Sequence, residues 1–118
     1  MVDYSKLVLV YVAGRYRSKS KHYIIRFIQV LYNIYKARRY AVQVWKSGKI
    51  ALCPHSNSAM FDFMGVDDDI ILPGCIKLML ACDEIHVLPG AENSSGTQEE
   101  IKLAVKNGLK VFNVQENF

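Results

Sequence analysis

Acidic residues are missing from half of this chain. Between Tyr4 and Phe61 there is no Asp or Glu but there are eleven Lys or Arg; from Asp62 onward ten acids face four lysines. A basic half is one footprint of nucleic-acid binding. Here, however, Arg26, Lys36, Arg39 and Lys46 fall on the polar side of one predicted helix, so a solvated face is the stronger reading and nucleic acid the weaker. A small anionic ligand needs only one or two of these cations. Long apolar runs are missing too. Hydrophobic residues make up 51 % of the chain, yet no run approaches the length of a membrane span, so no membrane partner is expected. Val8 to Ala13 is too short for a signal peptide and follows Asp3. Cysteine is sparse: Cys53, Cys75 and Cys82 lack metal-ligand spacing and leave an odd thiol if any two pair. That suits a reduced, cytoplasmic setting with no bound metal. No internal repeat is present, and 118 residues suit one domain with a real core.

What is present is a regular alternation. Leu7 to Ala13 is a continuous apolar run bounded by Gly14, as in a buried parallel strand. Ile24, Phe27, Ile28, Leu31, Ile34, Ala41, Val42 and Trp45 recur at spacings of three and four, which predicts a long amphipathic helix stopped by Gly48. Lys49 to Cys53 reads as a second strand, closed by Pro54. His55 to Asp69 reads as a loop, Cys75 to Cys82 as a helix, and Glu84 to Leu88 as a strand. Thr97 to Asn107 then reads as a helix and Leu109 to Val114 as a last strand. The expectation is an α/β single domain, 1–118: a doubly wound (flavodoxin/Rossmann-like) parallel sheet of four to five strands with helices on both faces.

Ligands of such sheets bind outside the carboxyl ends of the strands. Three segments are expected there: Gly14 to Ser18, Pro54 to Asn57, and Pro89 to Glu100. The first offers a glycine turn, two arginines and a hydroxyl, which suits a phosphate; alone it would read as a flexible basic loop. In the third, Ser94 and Ser95 are N-cap candidates and Gly96 lets backbone approach a ligand. The free N–H groups of such a helix start favour an anion, and Glu100 lies one turn in. The plainer reading of the same residues is a capping box. Together the three segments have the composition of a nucleotide pocket.

These residues carry a resemblance. Tyr11-Val-Ala-Gly14-Arg-Tyr-Arg17-Ser18, Pro54-His55-x-Asn57, Cys82-Asp83 and Ser94-x-Gly96-x3-Glu100-x3-Ala104 occur in the order seen in the nucleoside 2-deoxyribosyltransferase-like superfamily. The chain resembles its small phage and bacterial members from about Leu7 to Phe112, and shares much with the deoxynucleoside 5'-monophosphate N-glycosidases. The resemblance implies Glu100 as a nucleophile that attacks the anomeric carbon and displaces the base. It implies Tyr11 as the residue that positions this carboxylate. Arg17, Ser18 and Ser94 match positions that hold a 5'-phosphate, with Gly14 and Gly96 lending backbone to the substrate site. His55 and Asn57 would line the base or sugar side, although a plain loop histidine is an equal reading. Asp83 is a recurrent marker of the family, assigned here to substrate binding or to structure.

One position departs from the pattern. The family's second carboxylate falls eight residues before Asp83, where this chain has Cys75. A thiol is a poor general acid near neutral pH, so Asp67, Asp68 or Asp69 would have to move in, or activity would be weakened or absent. The resemblance implies a small-molecule nucleotide or nucleoside as substrate, no cofactor, and a homodimer or higher homo-oligomer whose neighbour completes the pocket. The expected activity is N-glycosidic cleavage of a nucleoside 5'-monophosphate, with hydrolysis favoured over base transfer. The alternative is a catalytically silent protein that binds a nucleotide or an ADP-ribose-like signal.

Overall fold

The computed structural model describes residues 2–15, 20–54, 58 and 64–115. Along them run β1 (Leu9–Ala13), α1 (Tyr23–Lys46), β2 (Ile50–Leu52), α2 (Asp68–Leu80), β3 (Glu84–Val87), α3 (Ser95–Lys106) and β4 (Lys110–Asn113). Short 3-10 turns occupy Tyr4–Lys6 and Ala91–Asn93. The described strands form one all-parallel sheet in the order β2-β1-β3-β4. In register, Tyr11 lies between Leu52 and Ile85, and His86 lies between Val12 and Phe112. This is the doubly wound, flavodoxin/Rossmann-like α/β arrangement that the alternation predicts.

Side-chain alternation along the strands divides the core into two layers. Tyr11, Ala13, Ile85 and Val87 pack against Met79 of α2 and Ala104 of α3. Val12 and Leu88 point the other way and pack with Ala37 and Ala41 of α1. The chain leaves β1 through α1 on one face and returns past it through α2 on the other. That reversal makes the carboxyl ends of β1 and β3 the switch point of the sheet.

Two boundaries have clear local causes. No Gly or Pro interrupts Tyr23–Lys46, and α1 runs until Ser47 caps it; Gly48 follows with φ +92°, a left-handed conformation that suits glycine. In contrast, α2 begins at Asp68, about two turns before the predicted start near Cys75. Pro73 and Gly74 read as a break, but both lie on the exposed side of the helix. Proline at this point removes one backbone bond, to the carbonyl four residues earlier. Asp68 and Asp69 offset it in the first turn, where the helix dipole favours acids.

Candidate functional site

The site is assembled from one strand and the two helices that cover its face. Tyr11 points from the middle of β1 into the layer beneath α2 and α3, where it is 1 % exposed. A phenol at that depth must hydrogen-bond or lose several kcal/mol, on the order of 2–7. Its hydroxyl donates to the carboxylate of Glu100, which α3 brings over the strand. Burial holds the Glu100 carboxyl above its usual range, and the Tyr11 hydrogen bond only partly counters that. Burial, then the charge of Glu100 and the bond to it, drive the Tyr11 phenol far above its ordinary value. No described lysine or arginine forms an ion pair with Glu100.

Cys75 of α2 joins the pair. Burial, and then the charge of Glu100, raise its thiol; hydrogen bonds with Ser58 and Tyr11 oppose the rise. Ser58 is itself anchored by donating from Oγ to the Pro54 carbonyl at 3.0 Å, at the carboxyl end of β2. Tyr11, Glu100, Cys75 and Ser58 therefore converge from four separated stretches. A carboxyl that holds its proton unusually tightly, fixed by a phenol beside an uncharged thiol, can serve as a nucleophile or base once ionised. Perturbed groups of this kind mark reactive sites.

The other predicted residues are placed as follows. Gly14 lies at the carboxyl end of β1, next to Arg15, in the half-buried loop start. Ser94 is the N-cap residue of α3, but its side chain makes no capping bond, so the capping-box reading of this segment does not hold. Among the described residues, a Cβ at Gly96 would meet only the Ser94 hydroxyl, at 3.8 Å. Arg17, Ser18, His55 and Asn57 lie outside the described residues.

Asp83 is not with them. It sits at the amino end of β3, where its Oδ2 accepts from the Leu9 N–H at 2.9 Å. Its own N–H donates to the Leu9 carbonyl at 2.8 Å. Those two bonds clamp β1 to β3 at the amino end of the strands, opposite the switch point, which favours the structural side of the two readings of Asp83. The acids expected to replace the missing carboxylate also stay apart. Asp67 occupies the N-cap position of α2 without a side-chain capping bond, Asp68 and Asp69 lie in its first turn, and none of them is among the groups that perturb Tyr11, Cys75 or Glu100.

Sequence reasoning missed two features. Ser58 carried no local signal, since its partner lies across a loop. The second feature is a polar cluster on the opposite face of the sheet. Lys49 Nζ donates to both Glu84 oxygens at 3.0 and 3.1 Å, His86 Nε2 lies 2.8 Å from Glu84 Oε1, and Tyr40 Oη lies 2.6 Å from His86 Nδ1. The alternation of Glu84 and His86 in an otherwise apolar strand was the available signal, because both must share one face. Among the described residues no group of three His, Cys, Asp or Glu could hold a metal ion.

A family model, "Domain of unknown function (DUF7768)", matches residues 8–114. The chain belongs to this family. The match takes in all four strands, all three described helices and the Tyr11, Cys75 and Glu100 positions. No curated protein matches the chain.

Proposed function

We propose that this DUF7768 domain cleaves the N-glycosidic bond of a nucleoside 5'-monophosphate, with a 2'-deoxy sugar favoured and water favoured over a second base as acceptor. The observation that carries the proposal is the Tyr11–Glu100 hydrogen bond beneath the switch point of the sheet. Ionised Glu100 attacks the anomeric carbon, the carbon–nitrogen bond breaks, and the base leaves with the electron pair and takes up a proton. Water then hydrolyses the glycosyl ester and regenerates the carboxylate. Tyr11 fixes the carboxylate oxygen that does not attack. Arg17, Ser18 and Ser94 hold the 5'-phosphate, and His55 and Asn57 flank the base or sugar. The resemblance to nucleoside 2-deoxyribosyltransferase-like proteins, carried by the same tyrosine and glutamate, supports this reading.

Cys75 favours a second reading. It stands next to Tyr11 and Glu100, where a second carboxyl would serve as acid, and its thiol holds its proton more tightly than an ordinary cysteine. A protein so equipped binds and sequesters a nucleotide or ADP-ribose-like signal without breaking it.

The deciding experiment is incubation with a panel of ribo- and deoxyribonucleoside monophosphates, with free base read by chromatography. Base release by the wild type that is abolished in Glu100→Gln supports the enzyme; equal release by both proteins overturns it. Cys75→Asp should then raise release by more than about tenfold, a partial recovery of the roughly 10² to 10⁴-fold that general acid catalysis contributes. Binding without release by wild type, Glu100→Gln and Cys75→Asp alike establishes the sequestering protein.

A further inference from the structure

The 24-residue α1 carries two heptad stripes where a helix covering a sheet needs one. The first, Val30, Ile34, Ala37, Ala41 and Val44, is buried against the strands. The second is Ile24, Ile28, Leu31, Tyr35, Val42 and Trp45, and all six are exposed, at 44–61 %. Their spacing is 4, 3, 4, then 7, then 3, and the position that would divide the seven is exposed Arg38. This is an a/d seam over three heptads with one polar member, the pattern by which one helix packs along another. Tyr40, on the opposite flank, reaches His86 of β3. The seam therefore faces away from β3, on the side of the edge strand β2.

We infer that this seam is a homodimer interface, in which α1 packs antiparallel against α1 of a second copy. Three observations select that occupant. First, strict heptad spacing serves a helical partner; a lipid surface requires only an apolar face. Second, at about 1.5 Å per residue the stripe is about 32 Å long. Six large side chains at half exposure supply on the order of 600 Å² per copy, close to the ~800 Å² per partner of a standard interface, and exposed Tyr32 and Ile25 adjoin it. Third, Arg38 fixes the direction. A parallel pair would set Arg38 against its own copy, like charge on like charge in the seam. The antiparallel pair forms layers of Ile28 with Trp45, Leu31 with Val42, and Tyr35 with Arg38, each occurring twice about the dyad. The helix already uses the last of these chemistries within one chain, where the Arg39 guanidinium lies 5.9 Å from the Tyr35 ring centroid. Adding an arginine over the other face of that ring is a favourable cation–π contact. This interface stands independently of the glycosidase reading.

The test is sedimentation equilibrium of the full chain at about 50 μM, with circular dichroism as the folding control. Wild type should have twice the 13.4 kDa chain mass, and Val42→Glu should be a folded monomer. Tyr35→Glu should remain a dimer because it meets Arg38 of the second copy, whereas in a parallel pair two glutamates would meet and separate the chains. Oxidation of a mixture of Leu31→Cys and Val42→Cys should give the mixed disulfide; self-linked Leu31→Cys dimers would overturn the antiparallel register. A wild-type monomer, or a dimer indifferent to Val42→Glu, would overturn the interface. Monomers that sediment with anionic vesicles, and lose this with Val42→Glu, would assign the seam to a membrane surface instead.

Discussion

Glu84 and Glu100 press carboxyls against opposite faces of one sheet, and their surroundings treat the charge in opposite ways. Burial alone would raise both. At Glu84 hydrogen bonds from His86 and Lys49, with the charge of Lys49, outweigh that burial and hold the carboxyl below its usual range. At Glu100, among the described residues, only the Tyr11 hydroxyl opposes burial, and the carboxyl stays above its range. Glu84 is thus saturated with partners and committed to holding Lys49, β3 and α1 together through His86 and Tyr40. Glu100 instead has a carboxyl raised by burial, beside the Tyr11 phenol and the Cys75 thiol. A satisfied network rigidifies, whereas a carboxyl held above its usual range costs stability and marks a candidate reactive site.

The comparison can be broken by removing each charge in turn. Glu84→Gln should destabilise the fold by about 2–3 kcal/mol, because charged hydrogen bonds are lost and Lys49 and His86 must repartner. Urea titration measures this, and a loss no greater than that of Glu100→Gln would erase the distinction. Tyr40→Phe should cost about 1–1.5 kcal/mol by leaving His86 Nδ1 without its partner. Asp83→Ala should cost about 1 kcal/mol through the lost Leu9 bond. It should leave nucleotide affinity by calorimetry unchanged; a weakened affinity would return Asp83 to the binding site. Glu100→Gln has the smallest effect and the opposite sign. It should stabilise the protein at pH 7 by less than about 1 kcal/mol, since glutamine still accepts from Tyr11 and places no charge in the half-buried site.

The pH dependence sharpens the contrast. Glu84, depressed in the folded state, contributes stability above the ordinary carboxylate range that is lost as pH falls through its folded pKa. Glu100, raised in the folded state, behaves in reverse: its cost is absent below that range and grows as pH rises through its folded pKa. Thermal melts from pH 3 to 8 should therefore show the stabilisation by Glu100→Gln vanish at the acid end. The Glu84→Gln deficit should shrink there as well. A gain from Glu100→Gln that persists at pH 3 would show that its origin is not ionisation.

Part of the site is legible in the amino-acid sequence. Tyr11, Gly14, Ser94, Gly96 and Glu100 stand in strand, turn and helix start much as their local patterns predict, because apolar periodicity and turn residues act over a few positions. The start of α2 is not legible in the same way: Pro73-Gly74 is a local break signal, and exposure of both residues on one helix side is a tertiary fact. Ser58 and the Lys49–Glu84–His86–Tyr40 cluster escape for a related reason. Their partners are separated by 17, 35 and 46 positions, and nothing local ties them together.

By itself, then, the sequence determined the alternation of strands and helices, and with it the parallel sheet and the edge at which its loops gather. Side-chain period and chain handedness are local properties, and connection rules extend them to topology. Only the tertiary structure decided that Asp83 clamps two strands, that Cys75 stands beside Glu100, and that buried Glu84 is ion-paired while half-buried Glu100 has no ion-pair partner among the described residues. Those outcomes depend on how much water and which charges surround each carboxyl, and residues distant in the chain supply both.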